Sequence, residues 1–452
     1  MALSVADLLL LHRREGDYEG RRAAAVWHAR TPARFPELIA VPSSAAAVVS
    51  AVRLAREQGL RVGIRSGGHH AGGLGLHDGE LLLDLSGLTA LELDDRSRSV
   101  TVEPGATGGM LTEALAGHGL GFPVPHDPRV ALGGYLLSGG FGWNMPTYGP
   151  ACLSITGVEV VLADGQTVQA GPTCNSDLFW AARGGGPGFP GVVTRFRLQL
   201  HPAPRHMMLN AYGYDLADTA EVLAWLCELE PELPRHVELN LALVTQPDGS
   251  RVLVVRAVAF TDFLSEAESS LAALQSCPRA GSARFSRLFE ETTPQAMQAL
   301  SASLCPSHCR VYGDTFWSDD PARLLPELAV HYESAPAPRA IVNNMLARQP
   351  VIPPGLSSEG AFSVHGRLWT GLWSYWDRPE DDAINLEWIA ATSRPLEASA
   401  VGFYAGQSNF ELDGRARRSF GDAHWDRLQA VRRSADPEGL FRSHAFPTAA
   451  ER

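Results

Sequence analysis

The chain has 452 residues, of which 45% are hydrophobic and 19% charged, a composition that is typical of a folded protein of two or three domains and excludes general disorder. Its formal charge of −12 disfavours nucleic acid and anionic membranes as partners, because both repel an acidic protein. All 38 basic residues are Arg, which excludes a lysine Schiff base, a Walker-type phosphate lysine and a lysine general base.

The chain divides into three zones that differ in composition and in the pattern of apolar residues. Residues 1–205 are dense in glycine and carry short apolar strands, and Pro202 and Pro204 mark their end. Residues 206–400 alternate strands with amphipathic helices, for which the candidates are 217–229, 265–275 and 321–332. Residues 401–452 are predicted to return to short strands and to end in an Arg-rich helix over about 416–434, stopped by the Asp-Pro-Glu-Gly sequence at 436–439.

Two glycine-rich segments of the first zone do not have the composition of a hydrophobic core. Residues 65–75 (R-S-G-G-H-H-A-G-G-L-G) follow a strand-like stretch, and the second segment spans 125–143. Glycine allows a ligand to approach the backbone closely, and consecutive N–H groups form anion-binding nests. Two such loops favour a large phosphate-bearing cofactor, with tight turns of a β-rich domain as the alternative. Neither loop has the Rossmann G-x-G-x-x-G pattern, and the absence of Lys excludes a P-loop.

An ordered set of motifs then resembles a known family, the FAD-binding oxidoreductases of the vanillyl-alcohol oxidase superfamily, and most of all its berberine-bridge-enzyme-like branch. The motifs are R-S-G-G-H at 65–69, D-L-S at 84–86, V-x-P-G at 102–105, V-A-L-G-G-Y-L-L-S-G-G-F-G-W at 130–143, V-E-V-V-L-A-D-G at 158–165, D-L-F-W-A-A-R-G-G-G at 177–186, G-V-V-T at 191–194, S-N-F at 408–410 and D-P-E-G-L-F at 436–441. The resemblance implies an α+β fold. It places a two-subdomain PCMH-type FAD-binding domain in 1–205 and a substrate domain, whose antiparallel sheet roofs the flavin, in 206–400. Residues 401–452 return to the FAD domain.

The resemblance also implies how the flavin is held. His69 takes the position of the histidine that bonds to the flavin 8α-methyl group, although a histidine that only packs there, next to His70, is the alternative. Relatives that form a second bond use a Cys where this chain has Asp127, so we expect one covalent link. Val130 takes the oxygen-gating position and is typical of oxidases, with a plain core Val as the alternative. The other residues expected at the cofactor are Arg65, Ser66, Gly67, Gly68, His70, Pro104, Gly105, Leu132, Gly133, Gly134, Ser138, Gly139, Gly140, Gly142, Trp143, Val192 and Asn409.

Near the C-terminus the chain departs from the family pattern. Relatives carry Tyr-x-Asn-Tyr/Phe on a strand beside the flavin, whereas this chain reads Gln407-Ser408-Asn409-Phe410. Because that Tyr is the catalytic base in several relatives, its role is in doubt here. The usual final Asn-Gln-Asn is altered as well, to His444-Ala445-Phe446.

Strand alternation in the second zone predicts a substrate-facing surface. Over 363–376 one face carries a row of polar and aromatic side chains, and exposed Trp there suits an aromatic pocket better than a sheet face in water, which is the alternative. The residues expected at the substrate are Tyr135, Asn240, Arg367, Trp369, Trp373 and Gln407. The candidates for a general base are Tyr312, Tyr375, Tyr404, Glu238 and His365.

Targeting and metal signals are weak. No stretch approaches the roughly 20 apolar residues of a membrane span, and no signal peptide is evident at the start. Six scattered Cys favour a reducing cytoplasm. Cys305 and Cys309 flank His308, but the sequence has no second Cys/His cluster that could supply the remaining metal ligands. We therefore expect free thiols and no metal.

The sequence therefore predicts an FAD-dependent oxidase of specialised metabolism. It would abstract hydride from an alcohol or amine carbon of a small aromatic or natural-product substrate and reduce O₂ to H₂O₂. The alternatives are a flavin dehydrogenase, a flavin oxygenase and a flavin-carrying binding protein without turnover. The expected partners are the substrate and O₂, in a monomer or homodimer.

Overall fold

The computed structural model of the protein describes residues 7–356 and 359–442, so the altered His444-Ala445-Phe446 motif lies outside the described residues. Its strands are β1 Leu8–His12, β2 Leu38–Pro42, β3 Val62–Arg65, β4 Leu81–Asp84, β5 Leu91–Asp94, β6 Ser99–Val102, β7 Leu120–Gly121, β8 Ile155–Val161, β9 Thr167–Ala170, β10 Val192–Gln199, β11 His201–Pro202, β12 His206–Asp215, β13 Val237–Thr245, β14 Arg251–Thr261, β15 Phe285–Thr292, β16 Arg310–Ser318, β17 Ile341–Leu346 and β18 Leu368–Trp376.

The helices include all three that were predicted in the second zone, as α7, α8 and α10 of the following list. They are α1 Tyr18–Ala23, α2 Ala45–Glu57, α3 Gly108–Leu115, α4 Leu132–Leu137, α5 Met145–Tyr148, α6 Ser176–Ala182, α7 Thr219–Leu229, α8 Leu264–Ala272, α9 Pro294–Leu304, α10 Pro321–Tyr332, α11 Asp382–Glu397, α12 Arg415–Arg418 and α13 Asp422–Ala435. Within the described ranges, none of them has the length and apolarity needed to cross a membrane.

The first glycine loop follows β3, the last strand in the spatial order of a small mixed sheet. The strand order of this sheet is β1-β2-β4-β3, and β2, β4 and β3 run parallel. Helix α2 covers this sheet with a stripe of buried Ala and Val. Ser44 caps the helix by accepting a hydrogen bond from the Ala47 N–H at 3.2 Å. Because β3 ends at Arg65, the loop lies at the carboxyl end of a parallel strand, where such sheets commonly bind ligands.

The second glycine segment runs into helix α4 beside an antiparallel sheet of order β5-β6-β10-β8-β9. Leu132 and Leu136 of α4 are fully buried in the core of this sheet, together with Phe179 and Trp180 of α6. The apolar residues of the motif thus anchor the segment in the core, and Gly134 lies on its opposite, exposed side.

The second zone forms one antiparallel sheet with the order β15-β12-β14-β13-β17-β18-β16. One face packs on α7, α8, α10 and α11 through buried apolar side chains such as Leu223, Leu271, Leu328 and Ile389. Since successive strand residues alternate, the other face points away from these helices and toward the glycine loops. The predicted α+β fold with an antiparallel roof is therefore confirmed. The domain boundaries at 205/206 and 400/401 stay a prediction.

The last zone differs from the prediction. Between 401 and 442 the chain forms no strand, and the single predicted helix over 416–434 is two helices, α12 and α13. The segment at 404–409 is a turn because the Asp314 carboxylate accepts the Asn409 N–H at 3.0 Å, while the Tyr404 carbonyl accepts the N–H groups of Gln407 and Ser408. The chain nevertheless returns to the first sheet, where Val62 N–H donates to the Leu440 carbonyl at 2.8 Å.

Candidate active site

A cavity of about 710 Å³ lies between the two glycine loops and the free face of the seven-stranded sheet. This volume is in the range of small-molecule and cofactor sites. The predicted residues that line it are Arg65, Ser66, Gly67, Gly68, His69, His70, Pro104, Asp127, Val130, Gly133, Gly134, Tyr135, Ser138, Asn240, Trp369, Trp373, Tyr375, Tyr404 and Gln407. The cavity thus joins most of the residues predicted for cofactor and for substrate.

Close packing between the two glycine loops forms one wall. A Cβ on Gly67 would lie 2.7 Å from the Ala131 Cβ, and one on Gly133 would lie 2.4 Å from the Ser66 Oγ. Gly134 is different, because a Cβ there would have no neighbour within 4 Å and would project into the cavity. A wall of bare backbone suits a large flat group with phosphates, so these residues fit FAD.

Two neighbouring histidines of the first loop have different environments. The His69 ring stacks on Trp27, with centroids 5.2 Å apart and planes 4° from parallel. Burial lowers the pKa of His69 to about 4, so its imidazole is neutral at physiological pH. The His70 Nε2 instead lies 3.0 Å from the Ser408 carbonyl oxygen, which ties this loop to the C-terminal segment.

Asp127, at the position where relatives have Cys, is held as a carboxylate. Burial opposes its charge, but the Arg129 side chain donates two hydrogen bonds at 2.9 and 2.5 Å and the Arg129 backbone N–H a third at 2.9 Å, and the pKa of Asp127 is lowered as a result. Arg129 also donates to the Cys305 carbonyl at 2.5 Å. The charge of Asp127 is therefore balanced, and it acts on His69 only as a nearby anion.

Three tyrosines on the cavity wall are poor proton acceptors. Burial raises the pKa of Tyr135, Tyr375 and Tyr404 above that of a free phenol. The Tyr135 hydroxyl donates to the Pro123 carbonyl at 2.5 Å, and the Tyr404 hydroxyl accepts the Gly140 N–H at 3.1 Å. All three phenols stay protonated at neutral pH.

A polar cluster of four residues, His126, Glu238, Asn240 and Arg256, lies at the sheet side of the cavity. Glu238 is 1% exposed, accepts a hydrogen bond from the Asn240 Nδ2 at 2.8 Å, and lies 3.8 Å from the His126 Nε2. His126, Asn240 and Arg256 line the cavity, whereas Glu238 lies behind them. Neither His126 nor Arg256 was predicted as a site residue from the sequence. Alternation along 251–261 would have indicated Arg256 only if the register with β13 had been known.

Two predicted residues lie elsewhere because β18 begins at Leu368, so the prediction of a strand from 363 is wrong. The Arg367 N–H donates to Asp319 at 3.1 Å, and neither Arg367 nor His365 borders the cavity. The Arg30 guanidinium lies over the Tyr312 ring, 5.2 Å from the ring centroid. The other predicted residues that do not border the cavity are Glu238, Gly105, Leu132, Gly139, Gly140, Gly142, Trp143, Val192 and Asn409.

The cysteine cluster indicated by the sequence is divided. His308 and Cys309 come together with Asp377, but the Asp377 carboxylate already pairs with Arg339 at 2.6 Å. Cys305 instead contacts Tyr375 at the cavity. No metal site is proposed from these residues.

Comparisons with known proteins match these features. The family described as FAD binding domain matches residues 36–171, a range that includes both glycine loops. The FAD-linked oxidoreductase nodO of Hypoxylon pulicicidum is 29% identical over 433 residues, covering 94% of each chain. The (R)-6-hydroxynicotine oxidase of Paenarthrobacter nicotinovorans is 28% identical over 433 residues, or 93% of this chain and 92% of that one. The structure of BBE-like 1 of Physcomitrella patens superposes with a TM-score of 0.83 at 19% identity, covering 97% of each chain.

Proposed function

We propose that this chain is an FAD-linked oxidoreductase of the vanillyl-alcohol oxidase superfamily, in its berberine-bridge-like branch, and that it is an oxidase of an alcohol or amine carbon. The observation that carries the proposal is the single cavity that joins the glycine loops to an aromatic and polar sheet face. Such a cavity holds a flavin and a small substrate against each other. FAD bound in this cavity would supply the chemistry, namely acceptance of hydride from the substrate carbon and transfer of the electrons to O₂ to give H₂O₂.

The cofactor is held in this proposal by the two glycine loops, with one covalent link through His69. A neutral imidazole is the nucleophilic form, and the low pKa of His69 keeps it neutral. Asp127 cannot supply the sulfur of a second link. His70 is engaged by the Ser408 carbonyl, which leaves His69 as the better candidate of the two.

An acid-precipitation assay tests the link. The pellet of the purified protein should be yellow, a His69→Ala variant should release the colour to the supernatant, and His70→Ala should keep it in the pellet. Colour that leaves the wild-type pellet contradicts the covalent link and retains the flavoprotein. A colourless protein that FAD does not reconstitute contradicts the whole proposal.

We propose His126 as the proton acceptor for the substrate O–H or N–H, with Glu238 as the residue that positions its ring. An imidazole beside a buried carboxylate is a common general-base arrangement, whereas the cavity tyrosines have raised pKa values. Trp369 and Trp373 contribute aromatic walls that favour a flat substrate. One relative bears the name (R)-6-hydroxynicotine oxidase, which is a reason to include nitrogen heterocycles in a substrate screen.

Val130 lines the cavity and supports the choice of O₂ as electron acceptor, since its small side chain leaves room for the gas. The test is stopped-flow reoxidation of the photoreduced enzyme in aerated buffer. Wild-type flavin should reoxidise rapidly and a Val130→Leu variant more slowly, with H₂O₂ formed in step. Slow reoxidation of the wild type would favour a dehydrogenase, and ¹⁸O from O₂ in the product would favour an oxygenase.

A further inference from the structure

Arg256 lies on strand β14 opposite Asn240 of β13 in the antiparallel register. Ala242 and Val254 form the neighbouring pair on the same face, and all four residues line the cavity. Register and alternation together therefore direct the Arg256 side chain toward the substrate side of the cavity, on the wall that faces the glycine loops.

Among the described residues, the charged side chains that line the cavity have counter-charges, with one exception. Asp127 pairs with Arg129 as described. Three of the four cavity arginines pair with acids, Arg65 with Asp84 at 2.5 Å, Arg442 with Glu80 at 3.6 Å and Arg287 with Glu290. Arg256 forms no ion pair with any carboxylate of residues 7–356 and 359–442, and its buried Nε has no hydrogen-bond partner there.

The surroundings of Arg256 hold the guanidinium in place without satisfying it. It lies over the Trp143 ring, 5.4 Å from the centroid. Glu238 contributes a longer-range attraction, but its oxygens are engaged by Asn240 and by the Asn144 N–H at 2.8 Å. A cavity-facing guanidinium with a buried, unpartnered Nε and no hydrogen-bonded counter-charge is costly, and an anion that binds to it recovers part of that cost.

We propose that Arg256 binds a carboxylate of the substrate, so that the substrate is a small aromatic carboxylic acid. The fork of the guanidinium matches the two oxygens of a carboxylate, and Trp369, Trp373 and Phe285 supply aromatic walls in the same cavity. The overall charge of −12 repels anions at long range, so a local cation is what selects one. This inference rests on the proposed function, because it names the substrate class of the same cavity.

The test uses the FAD-loaded protein and three probes of one shape, namely benzoate, benzamide and benzylamine. Each is titrated at fixed ionic strength and followed by the flavin difference spectrum. Benzoate should bind at least roughly tenfold more tightly than benzamide, and benzylamine least tightly. Arg256→Gln should weaken benzoate binding roughly 10- to 100-fold and leave benzamide binding unchanged.

Two further variants keep the result interpretable. Arg256→Lys retains the charge but loses the fork, and should retain part of the preference for benzoate; a thermal melt of each variant checks folding. Arg287→Gln alters a cavity arginine that already has a partner, and should leave the preference unchanged. Equal binding of benzoate and benzamide, no binding of benzoate, or a preference that survives Arg256→Gln would each overturn the proposal.

The outcome is separable from the proposed oxidase. A yellow protein that oxidises neutral aromatic alcohols in air, yet shows no preference for benzoate, retains the oxidase and loses the carboxylate. A shift of the flavin spectrum in Arg256→Gln without any change in the benzoate preference would assign Arg256 to the flavin instead, and would overturn the proposal. If the protein does not bind FAD, the same titrations followed by isothermal calorimetry still decide the role of Arg256.

Discussion

The buried ion pair between Asp314 and Arg415 should be among the most sensitive points of the C-terminal segment. Both side chains are 3% exposed, and their N···O distance is 2.8 Å. The Asp314 carboxylate also accepts the N–H groups of Thr315 at 2.9 Å and Asn409 at 3.0 Å. Asp314→Ala therefore leaves the buried Arg415 with a single remaining acid, Glu397, and removes the acceptor of the buried Thr315 N–H and of the part-buried Asn409 N–H.

The expected loss is about 3–5 kcal/mol in the free energy of unfolding, the cost of breaking a buried pair on one side. The loss should lie toward the lower end of this range, because Glu397 still pairs with Arg415. Asp314→Asn should cost less, since its amide oxygen can still accept one N–H. A double variant with Arg415→Met should cost at least about 1 kcal/mol less than the sum of the single changes, because both charges are then removed together.

Urea unfolding followed by tryptophan fluorescence measures these differences. The matched control is Asp422→Ala, which breaks the exposed pair with Arg417 in the same segment and should cost at most about 1 kcal/mol. Equal costs for Asp314→Ala and Asp422→Ala, or simple additivity in the double variant, would contradict this role of the buried pair.

Three further predictions concern the cavity. Gly134→Val should fill cavity space beside the second loop and lower FAD binding. The control is Gly281→Val, where the added side chain also has no neighbour but lies on the exposed surface, and FAD binding should be unchanged. Equal FAD content in the two variants would contradict this. The rate of flavin attachment should be flat from roughly pH 6 to 9, because the pKa of His69 is lowered to about 4 by burial and the ring loses its nucleophilic form only as pH falls through that value; a midpoint near the usual value of ~6.5 would count against it. His126→Gln should lower the anaerobic rate of flavin reduction by roughly 10²–10⁴, while Tyr375→Phe should leave that rate unchanged.

Local signals predicted some elements well and missed others for identifiable reasons. Helix α10 was predicted at its exact bounds, since Asp320 caps it by accepting the Arg323 N–H at 3.3 Å and Pro321 occupies its first position. The turn at 404–409 was missed because Asp314, far away in sequence, supplies the acceptor that shapes it.

The candidate site shows the same division. The glycine loops carry their own backbone chemistry, so most of their residues were found in the sequence and line the cavity. His365 and Arg367 were assigned to the substrate face by extending an alternation backward past the true start of β18. Arg256 was missed because it becomes informative only through its register opposite Asn240 and its lack of a counter-charge. Periodicity gives the face of a strand but not its ends or its neighbours.

The position of residues 404–442 has a consequence for how the protein is made. Tyr404, Gln407, Phe441 and Arg442 line the same cavity as the loop at 65–75, and Val62 hydrogen-bonds to Leu440. A ribosome adds these residues after those of the first two sheets, and at about 5–20 residues per second the interval is many seconds. The nascent chain therefore carries glycine loops with one wall of their cavity missing. The complete cavity therefore forms only after residues 404–442 have been synthesised and have packed against the first sheet.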